Sequence, residues 1–594
     1  MNWLTNEDIS SYTESRTLSE ETSKSDPENE PFRSKYKARE LLQDLKNKIE
    51  CLIEEQPNGE LSLMSASLQY HLGLNYAETE EISSGEEHLV RCNEKLEDHR
   101  LDHRCVALAI STLNQLGIIW CQRSETKKSL EFLKEAKTLY QKYTHDVDAV
   151  PWGIHDLFLP ESSHKSDHER KEAFENIHTL TLYYLAQVYG MLGKKSKSAK
   201  LCHITLKRQL EFKQYTPMEW ALHCATLSQF YITQDNYPLA RHCLASASCI
   251  FQEVLQKHPE ALETSGEEVD GDIEEIQHRK ADIARCWLKY CLALLAFSKE
   301  DPATSSENHN NDEEEEQEEE DEESSDGEEE AGRSEDYKIP EKFDSLELGS
   351  WEDKVTDKIV TSFEEAREVF LAGQQFINES KAYYLFEGHV SDHIEIVKDH
   401  SQLFKILAQY ETDLERQSKM HKRRIDMLTA ILDELNPQFF LHICRQLTFE
   451  IAETYNAMVD IKTEIKNRSG TTPTAHVVKK INGLIMKSIA YFQKFCDSLR
   501  DPQGVMPEEL EENLIRPTLL AHFYMGRLYA NYLSPEMSDR IKNLETSCEH
   551  YKFVVDYCKK FPEASQKVQA ELGICEEMVQ FTPVRIDSLV RGVS

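Results

Sequence analysis

The sequence lacks apolar runs long enough to cross a bilayer. Its longest, such as residues 291–297, are only a few residues long, whereas a membrane-spanning helix needs about 20. Residues 1–8 show no basic-then-apolar signal segment. We therefore expect no membrane insertion and a cytoplasmic location.

Glycine and proline are also scarce, at 20 and 18 of 594 residues, while 39% of the chain is apolar and 29% is charged. This composition predicts a helical protein that is long enough for several modules. The 15 cysteines are scattered, with no Cys-x-x-Cys pair. Most occupy apolar helical positions, which indicates reduced thiols in the core.

Motifs for catalysis are missing as well. The chain contains no glycine-rich phosphate loop, no Gly-x-Ser-x-Gly and no His-Glu-x-x-His, so we expect no enzyme, no catalytic residue and no cofactor. The nearest approach to a metal site is His389, His393 and His400, with Asp392 and Asp399 close in sequence. Such histidines are usually ordinary helix-surface residues, so no metal is expected.

The charge is strongly one-sided. The formal net charge is −39, and residues 312–330 hold fifteen acidic side chains. An acidic surface repels the phosphates of DNA and RNA, so nucleic-acid binding is not expected. It favours basic protein partners and raises their rate of encounter.

Residues 226–247 carry the spacing of a tetratricopeptide (TPR) repeat, in which two antiparallel helices pack as a hairpin. The packing positions, at spacings 0, +1, +4, +13, +17 and +20, are Leu227, Ser228, Tyr231, Ala240, Leu244 and Ala247. Small residues let the two helices approach closely, and large ones fill the space between hairpins. Because one hairpin cannot bury its apolar face alone, the pattern predicts a solenoid with a concave groove for a protein partner.

Other segments repeat this pattern. In the first half they are Leu116, Gly117, Trp120, Ser129, Leu133 and Ala136, then Leu185, Ala186, Tyr189, Ser198, Cys202 and Thr205. In the second half the repeats are weaker, with second-helix patterns beginning at Ser488 and Ser547. An all-α solenoid is therefore predicted for both halves.

Composition and periodicity set the expected domain boundaries. The expected segments are a flexible leader (1–33), an N-terminal TPR-like solenoid (34–271), a linker helix (272–299), a disordered acidic linker (300–340), a C-terminal TPR-like solenoid (341–580) and a tail (581–594).

Nine colinear stretches carry motifs that are more specific than any TPR consensus. They are Leu182-Tyr183-Tyr184-Leu185-Ala186-Gln187-Val188-Tyr189, Ala225-Thr226-Leu227-Ser228-Gln229-Phe230-Tyr231-Ile232, and residues 34–39, 84–90, 205–211, 392–395, 420–425, 476–482 and 549–558. Taken in their order along the chain, from about residue 30 to about 580, they resemble the kinesin-binding protein (KIF-binding protein) family. The leader, the 50–62 connection and the 300–340 tract depart from the family pattern.

The resemblance implies a right-handed TPR-like α-solenoid in two halves joined by a linker helix. It implies a non-enzymatic regulator, associated with the cytoskeleton, that grips kinesin motor domains in its concave groove and keeps them off microtubules. It further implies a role in axonal microtubule organisation, axon outgrowth and neurogenesis. The sequence does not set the oligomeric state, and a monomer is expected.

Candidate groove residues lie beside the packing positions on the first helix of each hairpin. They are Tyr184 and Gln187 in the hairpin that includes Leu185 and Thr205, and Thr226 and Gln229 in the 226–247 hairpin, with Gln209 in the connection between the two hairpins. Neutral amides and hydroxyls donate to and accept from a partner at low desolvation cost. We expect these residues to contact the kinesin motor domain, although some could instead bridge adjacent helices.

The expected mechanism rests on charge and shape. A kinesin motor meets the acidic tubulin surface with a basic face, for which an acidic groove can compete. The solenoid walls can also hold a helix of the motor in a displaced position, so that the motor is remodelled and cannot bind its track.

Three other readings stay open. A generic TPR scaffold or co-chaperone-like adaptor would bind acidic C-termini through Lys, Arg and Asn on the first helices, where this chain shows Gln and Tyr. Residues 421–424 could act as a nuclear import signal. The 312–330 run could serve as a histone-chaperone-like tail.

Overall fold

The computed structural model describes residues 4–56, 58–262, 271–299, 342–470, 472–501 and 503–591. These residues form 21 α-helices and contain no β-strand. The predicted all-α, TPR-like α-solenoid class is confirmed. None of the described helices has both the length and the apolar content that a membrane crossing requires. The expected disorder of 300–340 concerns residues outside the described ranges.

The described chain divides into two compact units. The first takes in residues 4–231, 242–254 and 342–349, and the second takes in 232–241, 255–262, 271–299 and the described part of 350–591. Residues 342–349 therefore group with the first unit, whereas composition had placed them at the start of the C-terminal solenoid.

Helices α1–α10 come before the acidic linker and lie wholly or mainly in the first unit, although α9 and α10 also contribute residues to the second. Their bounds are α1 Asn6–Glu20, α2 Arg33–Glu55, α3 Gly59–Glu78, α4 Ile82–Leu96, α5 Val106–Gln122, α6 Thr126–Asp146, α7 Asp167–Met191, α8 Lys195–Glu211, α9 Pro217–Thr233 and α10 Tyr237–Lys257.

The other helices belong to the second unit, except that α12 begins at the last residue of the first. Their bounds are α11 Gly271–Phe297, α12 Gly349–Glu352, α13 Phe363–Tyr383, α14 Val390–Tyr410, α15 Leu414–Glu434, α16 Pro437–Arg468, α17 Ala475–Asp497, α18 Glu512–Ala530, α19 Met537–Lys560, α20 Glu563–Lys567 and α21 Gln569–Val590.

Small residues bring the two helices of each hairpin together, as the spacing predicts. A Cβ atom at Gly117 on α5 would lie only 2.7 Å from Cγ of Leu133 on α6. At the same crossing the Ser129 hydroxyl donates to the Gly117 carbonyl at 2.7 Å. In the next hairpin the Ser198 hydroxyl donates to the Ala186 carbonyl at 2.8 Å. The serine therefore adds an interhelical hydrogen bond where the helices come closest.

The weaker repeats of the second unit use the same contact. The Ser488 hydroxyl on α17 donates to the Ala452 carbonyl on α16 at 2.8 Å. The Ser547 hydroxyl on α19 donates to the Gly526 carbonyl on α18 at 2.7 Å. Both serines are fully buried. The pattern read at Ser488 and Ser547 thus marks true hairpins.

The N-terminal segment differs from the expected flexible leader, because Asn6–Glu20 forms α1 and packs on α2. Tyr12 anchors it with only 2% of its surface exposed. Its hydroxyl lies 2.9 Å from Nε2 of His71 and 2.8 Å from Nδ1 of His155. One buried aromatic residue with two polar partners orders a segment whose average composition is that of a flexible chain.

The segment that follows the acidic linker is fixed in the first unit by Phe343. This side chain is 2% exposed and stacks on the His203 ring at a centroid distance of 4.7 Å. It also meets the Trp220 ring edge-on at 5.4 Å, and its backbone N–H donates to Nε2 of His242 at 2.8 Å. These contacts explain why residues 342–349 group with the first unit.

The linker helix and the tail also differ in detail from expectation. Helix α11 forms where a linker helix was predicted, and within the second unit its Trp287 stacks on Phe376 of α13 at 5.4 Å. Helix α21 continues to Val590, past the expected solenoid end at 580. Phe581 is 63% exposed there, but the next residue, Thr582, is buried, so the helix still packs past residue 580.

Candidate protein-binding surface

Long stretches of three helices in the first unit carry no charged side chain. No Asp, Glu, Lys or Arg occurs in Val106–Gln122, in residues 176–191 of α7 or in residues 220–231 of α9. In a chain that is 29% charged, a solvated helix would normally carry Lys and Glu on its outer side. Along these three stretches the first helices of the hairpins therefore present neutral side chains to the surface, whereas the start of α7 bears exposed charges such as Asp167.

The three helices have equivalent surface positions, because they occupy the same place in successive repeats. A position on α5 corresponds to the residue 69 places later on α7, and a position on α7 corresponds to the residue 42 places later on α9. We call this set the neutral face. Its exposed or half-buried members are Gln115, Ile118 and Gln122 on α5, Leu180, Tyr184, Gln187 and Met191 on α7, and Leu222, Thr226 and Gln229 on α9.

The two residues predicted on α7 both lie on the neutral face. Gln187 is exposed, so its amide can donate to and accept from a partner. Tyr184 is half-buried, with its ring edge-on to Tyr183 at 5.3 Å. Burial raises the pKa of its phenol, so the hydroxyl stays protonated as a donor. One turn of helix thus offers an amide and a phenol side by side.

The two residues predicted on α9 are equivalent to those on α7. Thr226 is exposed, and its hydroxyl donates to the Leu222 carbonyl at 2.9 Å, which leaves its oxygen able to accept. Gln229 is half-buried, and its Nε2 donates to the Ser228 hydroxyl at 3.1 Å. Both side chains thus make a hydrogen bond within α9 itself.

Buried polar contacts fix α9 against α8. The Trp220 indole N–H donates to the Leu206 carbonyl at 3.1 Å, and Nδ1 of His203 lies 2.9 Å from the Tyr231 hydroxyl. The neutral face is therefore built on rigid elements, which favours specific recognition.

Gln209 stands apart from the other four predicted residues. It lies in the last turn of α8, a second helix, and not in a connection between helices as the sequence indicated. Its side chain is half-buried, and its backbone carbonyl accepts from the Gln214 N–H at 2.9 Å. Tyr184 and Gln187 on α7 thus occupy the same repeat positions as Thr226 and Gln229 on α9. Gln209 lies on α8, outside this set.

Six members of the neutral face were missed by sequence reasoning, namely Gln115, Ile118 and Gln122 on α5, Leu180 and Met191 on α7, and Leu222 on α9. Leu180 and Met191 are 40% and 53% exposed, one on each side of Tyr184 and Gln187 on the same stripe of α7. The signal was present, because residues 180, 184, 187 and 191 follow helical spacing. Exposed apolar side chains beside amides are typical of a protein interface.

The electrostatics of this surface differ from the acidic groove that net charge had suggested. The helices that carry the neutral face have no carboxylate from 106 to 122, from 176 to 191 or from 220 to 231. The net charge of −39 arises elsewhere, with fifteen of the acidic residues in 312–330 alone. Contact with a partner at this face would depend on shape and neutral hydrogen bonds.

The histidine cluster considered for metal binding has other contacts in the second unit. The carboxylate of Asp392 pairs with Arg285 at 2.6 Å, and that of Asp399 pairs with Lys289 at 2.8 Å. His393 lies against the Tyr384 carbonyl at 2.8 Å. Among the described residues no group of three His, Cys, Asp or Glu side chains is placed to hold a metal ion.

The basic run at 421–424 is not a continuous exposed patch. Arg424 is 3% exposed and donates to Glu450 at 3.0 Å, and its Nε donates to the Ser401 hydroxyl at 3.1 Å. His421 is also buried, which leaves Lys422 and Arg423 at the surface. An import receptor would therefore meet only half of this run.

Comparison with known proteins places the chain in a family. A family model described as KIF-1 binding protein C terminal matches residues 218–589. The KIF-binding protein of Gallus gallus is 43% identical over 578 residues, covering 97% of this chain and 96% of that protein. The chain belongs to the KIF-binding protein family.

Other relatives and a solved structure agree with this membership. The KIF-binding protein of Homo sapiens is 40% identical over 597 residues, covering 94% of each chain. The Drosophila melanogaster KIF-binding protein is 32% identical over 599 residues, covering 97% of this chain and 96% of that one. A solved structure of a kinesin binding protein superposes with a TM-score of 0.65 at 36% identity, covering 97% of this chain and 98% of that one. The similarity to the KIF-binding protein family therefore spans both units.

Proposed function

We propose that this chain is a non-enzymatic protein that binds kinesin motor domains through the neutral face and blocks or remodels their attachment to microtubules. The observation that carries the proposal is its similarity, over nearly the full length, to proteins named for binding KIF-type kinesins. Such a protein would act in the cytoplasm, beside the cytoskeleton, and would influence kinesin-driven transport and axon outgrowth.

The neutral face supports this proposal on physical grounds. Its exposed Gln187 and Thr226 satisfy donors and acceptors of another protein at low desolvation cost. Leu180 and Met191 add apolar area beside them, at 40% and 53% exposure. Interfaces combine such apolar anchors with a modest number of hydrogen bonds.

Approach and docking would depend on different parts of the chain. The net charge of −39 attracts the basic face that a motor turns toward tubulin, and this long-range attraction raises the rate of encounter. Contact then forms at uncharged residues such as Gln187 and Tyr184, where no ion pair has to be desolvated. A motor held by its microtubule-binding side could not attach to its track.

A generic adaptor for acidic C-terminal peptides is the second candidate. That role needs basic side chains on the first helices to clamp a carboxylate. Helix α5 has none, and neither do residues 176–191 of α7 or 220–231 of α9. The composition of the neutral face therefore favours a folded partner over an acidic tail.

The decisive experiment measures microtubule co-sedimentation of a panel of kinesin motor domains with and without this protein. We expect added protein to shift at least one motor from the pellet to the supernatant. The double variant Gln187→Ala with Gln209→Ala should weaken binding of that motor about tenfold, since each neutral hydrogen bond contributes about 0.5–1.5 kcal/mol.

A matched control comes from α2 and the residue directly after it, since α2 packs between α1 and α3. Gln56 is exposed and Gln43 half-buried, as are Gln187 and Gln209, so Gln43→Ala with Gln56→Ala removes the same groups elsewhere. The control should bind like the unaltered protein. Equal binding by both double variants would reject the assigned surface, and no effect on any motor would reject kinesin regulation itself. Stronger binding to an acidic C-terminal peptide than to any motor would favour the adaptor.

A further inference from the structure

Helix α21 has apolar side chains on two different sides. On one side Cys575 joins the apolar core of the second unit, and Thr582 is buried beside it. The other side carries Ile574, Phe581 and Val584, which are 48%, 63% and 65% exposed. Single apolar residues are ordinary at a protein surface, but several on one helix face are typical of an interface. This side of α21 therefore has no cover among the described residues.

Helical geometry places the exposed apolar residues in one row. At 100° per residue, Ile574 lies about 20° from Phe581 around the helix axis, and Met578 and Val584 lie about 60° to either side of it. We call these four residues the α21 stripe; Met578 is its half-buried member. Buried Cys575 lies about 120° from Phe581. The stripe is thus separate from the packed side, so a partner can bind it without disturbing the second unit.

Two opposite charges border the stripe at matched distances from its centre. Glu577 precedes Phe581 by four residues, and Arg585 follows it by four. Each lies about 40° from Phe581 around the helix axis. Both are exposed, and neither forms an ion pair within the part of the chain that the structure describes. Each charge is therefore available to a partner that docks on the stripe.

An antiparallel pair of α21 helices from two copies of the chain would join these features. In a two-fold pair centred on Phe581, residues at equal distances before and after Phe581 face each other, because the helices run in opposite directions. Glu577 of one copy then faces Arg585 of the other, and Met578 faces Val584. A parallel pair in register would instead set Glu577 against Glu577. The order of charges along α21 is therefore complementary to itself in the antiparallel arrangement alone.

We propose that the α21 stripe is a docking surface for a second copy of this chain, bound through antiparallel α21 helices. The dimer would replace the monomer expected from the sequence. One helix from each chain forms a small contact, since specific interfaces bury about 1,200 Å² or more in total. We therefore expect association at micromolar rather than nanomolar concentrations. The proposal does not depend on the proposed binding of kinesins.

Sedimentation velocity of the full-length protein, from about 1 to about 100 µM, tests the proposal. One chain has a mass of 68.9 kDa, and we expect the unaltered protein to approach twice this mass as its concentration rises. Phe581→Ser removes the centre of the contact and should raise the dissociation constant at least about tenfold. Phe439→Ser is the matched control, because Phe439 is 79% exposed on α16, and it should leave association unchanged.

A charge swap separates this contact from any other. Glu577→Arg sets two arginines against each other in the pair, and Arg585→Glu sets two glutamates against each other, so each change should weaken association several-fold. The two changes shift the net charge in opposite directions, so weakening by both has to come from the contact itself. Together they restore opposite charges with the signs exchanged, and the double variant should associate like the unaltered protein.

Three outcomes would overturn the proposal. The first is a mass that stays at 68.9 kDa over the whole concentration range. The second is an association that Phe439→Ser weakens as much as Phe581→Ser does. The third is a double charge variant that associates as weakly as either single one. Because the changed side chains are exposed, circular dichroism should show equal helicity in all variants, which separates lost contact from lost fold.

Discussion

The close approach of α3 and α4 gives the sharpest test of the packing argument, through the substitution Gly85→Ala. A Cβ atom at Gly85 would lie 2.8 Å from the Gly73 carbonyl oxygen and 3.0 Å from the Ala77 backbone nitrogen. Both atoms belong to the backbone of α3, so no side chain can rotate out of the way. The added methyl group must therefore push the two helices apart.

Two opposing terms set the size of this effect. Replacing glycine by alanine inside a helix gains up to about 1 kcal/mol of backbone entropy. Forcing an extra methyl group into a packed interface costs about 1–3 kcal/mol. The net local destabilisation is therefore about 1–2 kcal/mol. Since about 1.4 kcal/mol corresponds to a factor of ten, amide hydrogen exchange in α3 and α4 should speed up about 5- to 30-fold.

Hydrogen exchange followed by mass spectrometry is the suitable assay, because it reports on each helix separately. A chain with two units need not unfold in a single two-state transition, so one global free energy of unfolding would not isolate the effect. Gly483→Ala in α17 is the matched control, since nothing lies within 4 Å of the position that its added methyl group would occupy. There only the entropy gain remains, so exchange in α17 should stay the same or slow down. Exchange of α3 and α4 as slow in Gly85→Ala as in the unaltered protein would refute the steric argument.

Two further predictions concern a buried hydrogen bond of the second unit and the loss of folding stability at low pH. Ser547→Ala leaves the Gly526 carbonyl without its 2.7 Å donor and should speed exchange in α18 and α19 about tenfold; unchanged exchange would show that the serine adds nothing. His71 and His522 have pKa values of about 3, lowered mainly by burial, whereas an unfolded histidine titrates near 6.5. Between those values the unfolded chain binds more protons, so stability is complete above about pH 6.5 and is lost as pH falls toward 3. The urea midpoint should therefore drop between pH 6.5 and 4, and a constant midpoint would contradict this.

The hairpins could be predicted because their packing leaves a local record in the sequence. A small residue such as Gly117 must face a fixed position on the next helix, and Ser129 lies twelve residues later to meet it. Helix α1 was not predicted because the contacts that order it leave no local record in the sequence. Its order depends on Tyr12 reaching His71 and His155, which are 59 and 143 residues away in sequence.

The candidate surface was only partly predictable from the sequence. The phase of the repeat indicated that Tyr184 and Gln187 reach the surface, because that phase is local to one helix, while their contact with a motor domain stays a prediction. Leu180 was overlooked since an apolar residue near the middle of a helix normally indicates core, and only the structure shows it 40% exposed. The expected acidic groove stays a prediction, because net charge is a sum over the whole chain and does not locate the carboxylates.

The path of the chain has a consequence for dissecting this protein. Residues 232–241 and 271–299 precede the acidic linker yet complete the second unit, and 342–349 follow it yet complete the first. A single cut within the linker would therefore leave neither fragment with all of one unit, and Phe343 would lose its ring partners. The halves should be produced together, as complementing fragments, because each would expose core surface when made alone.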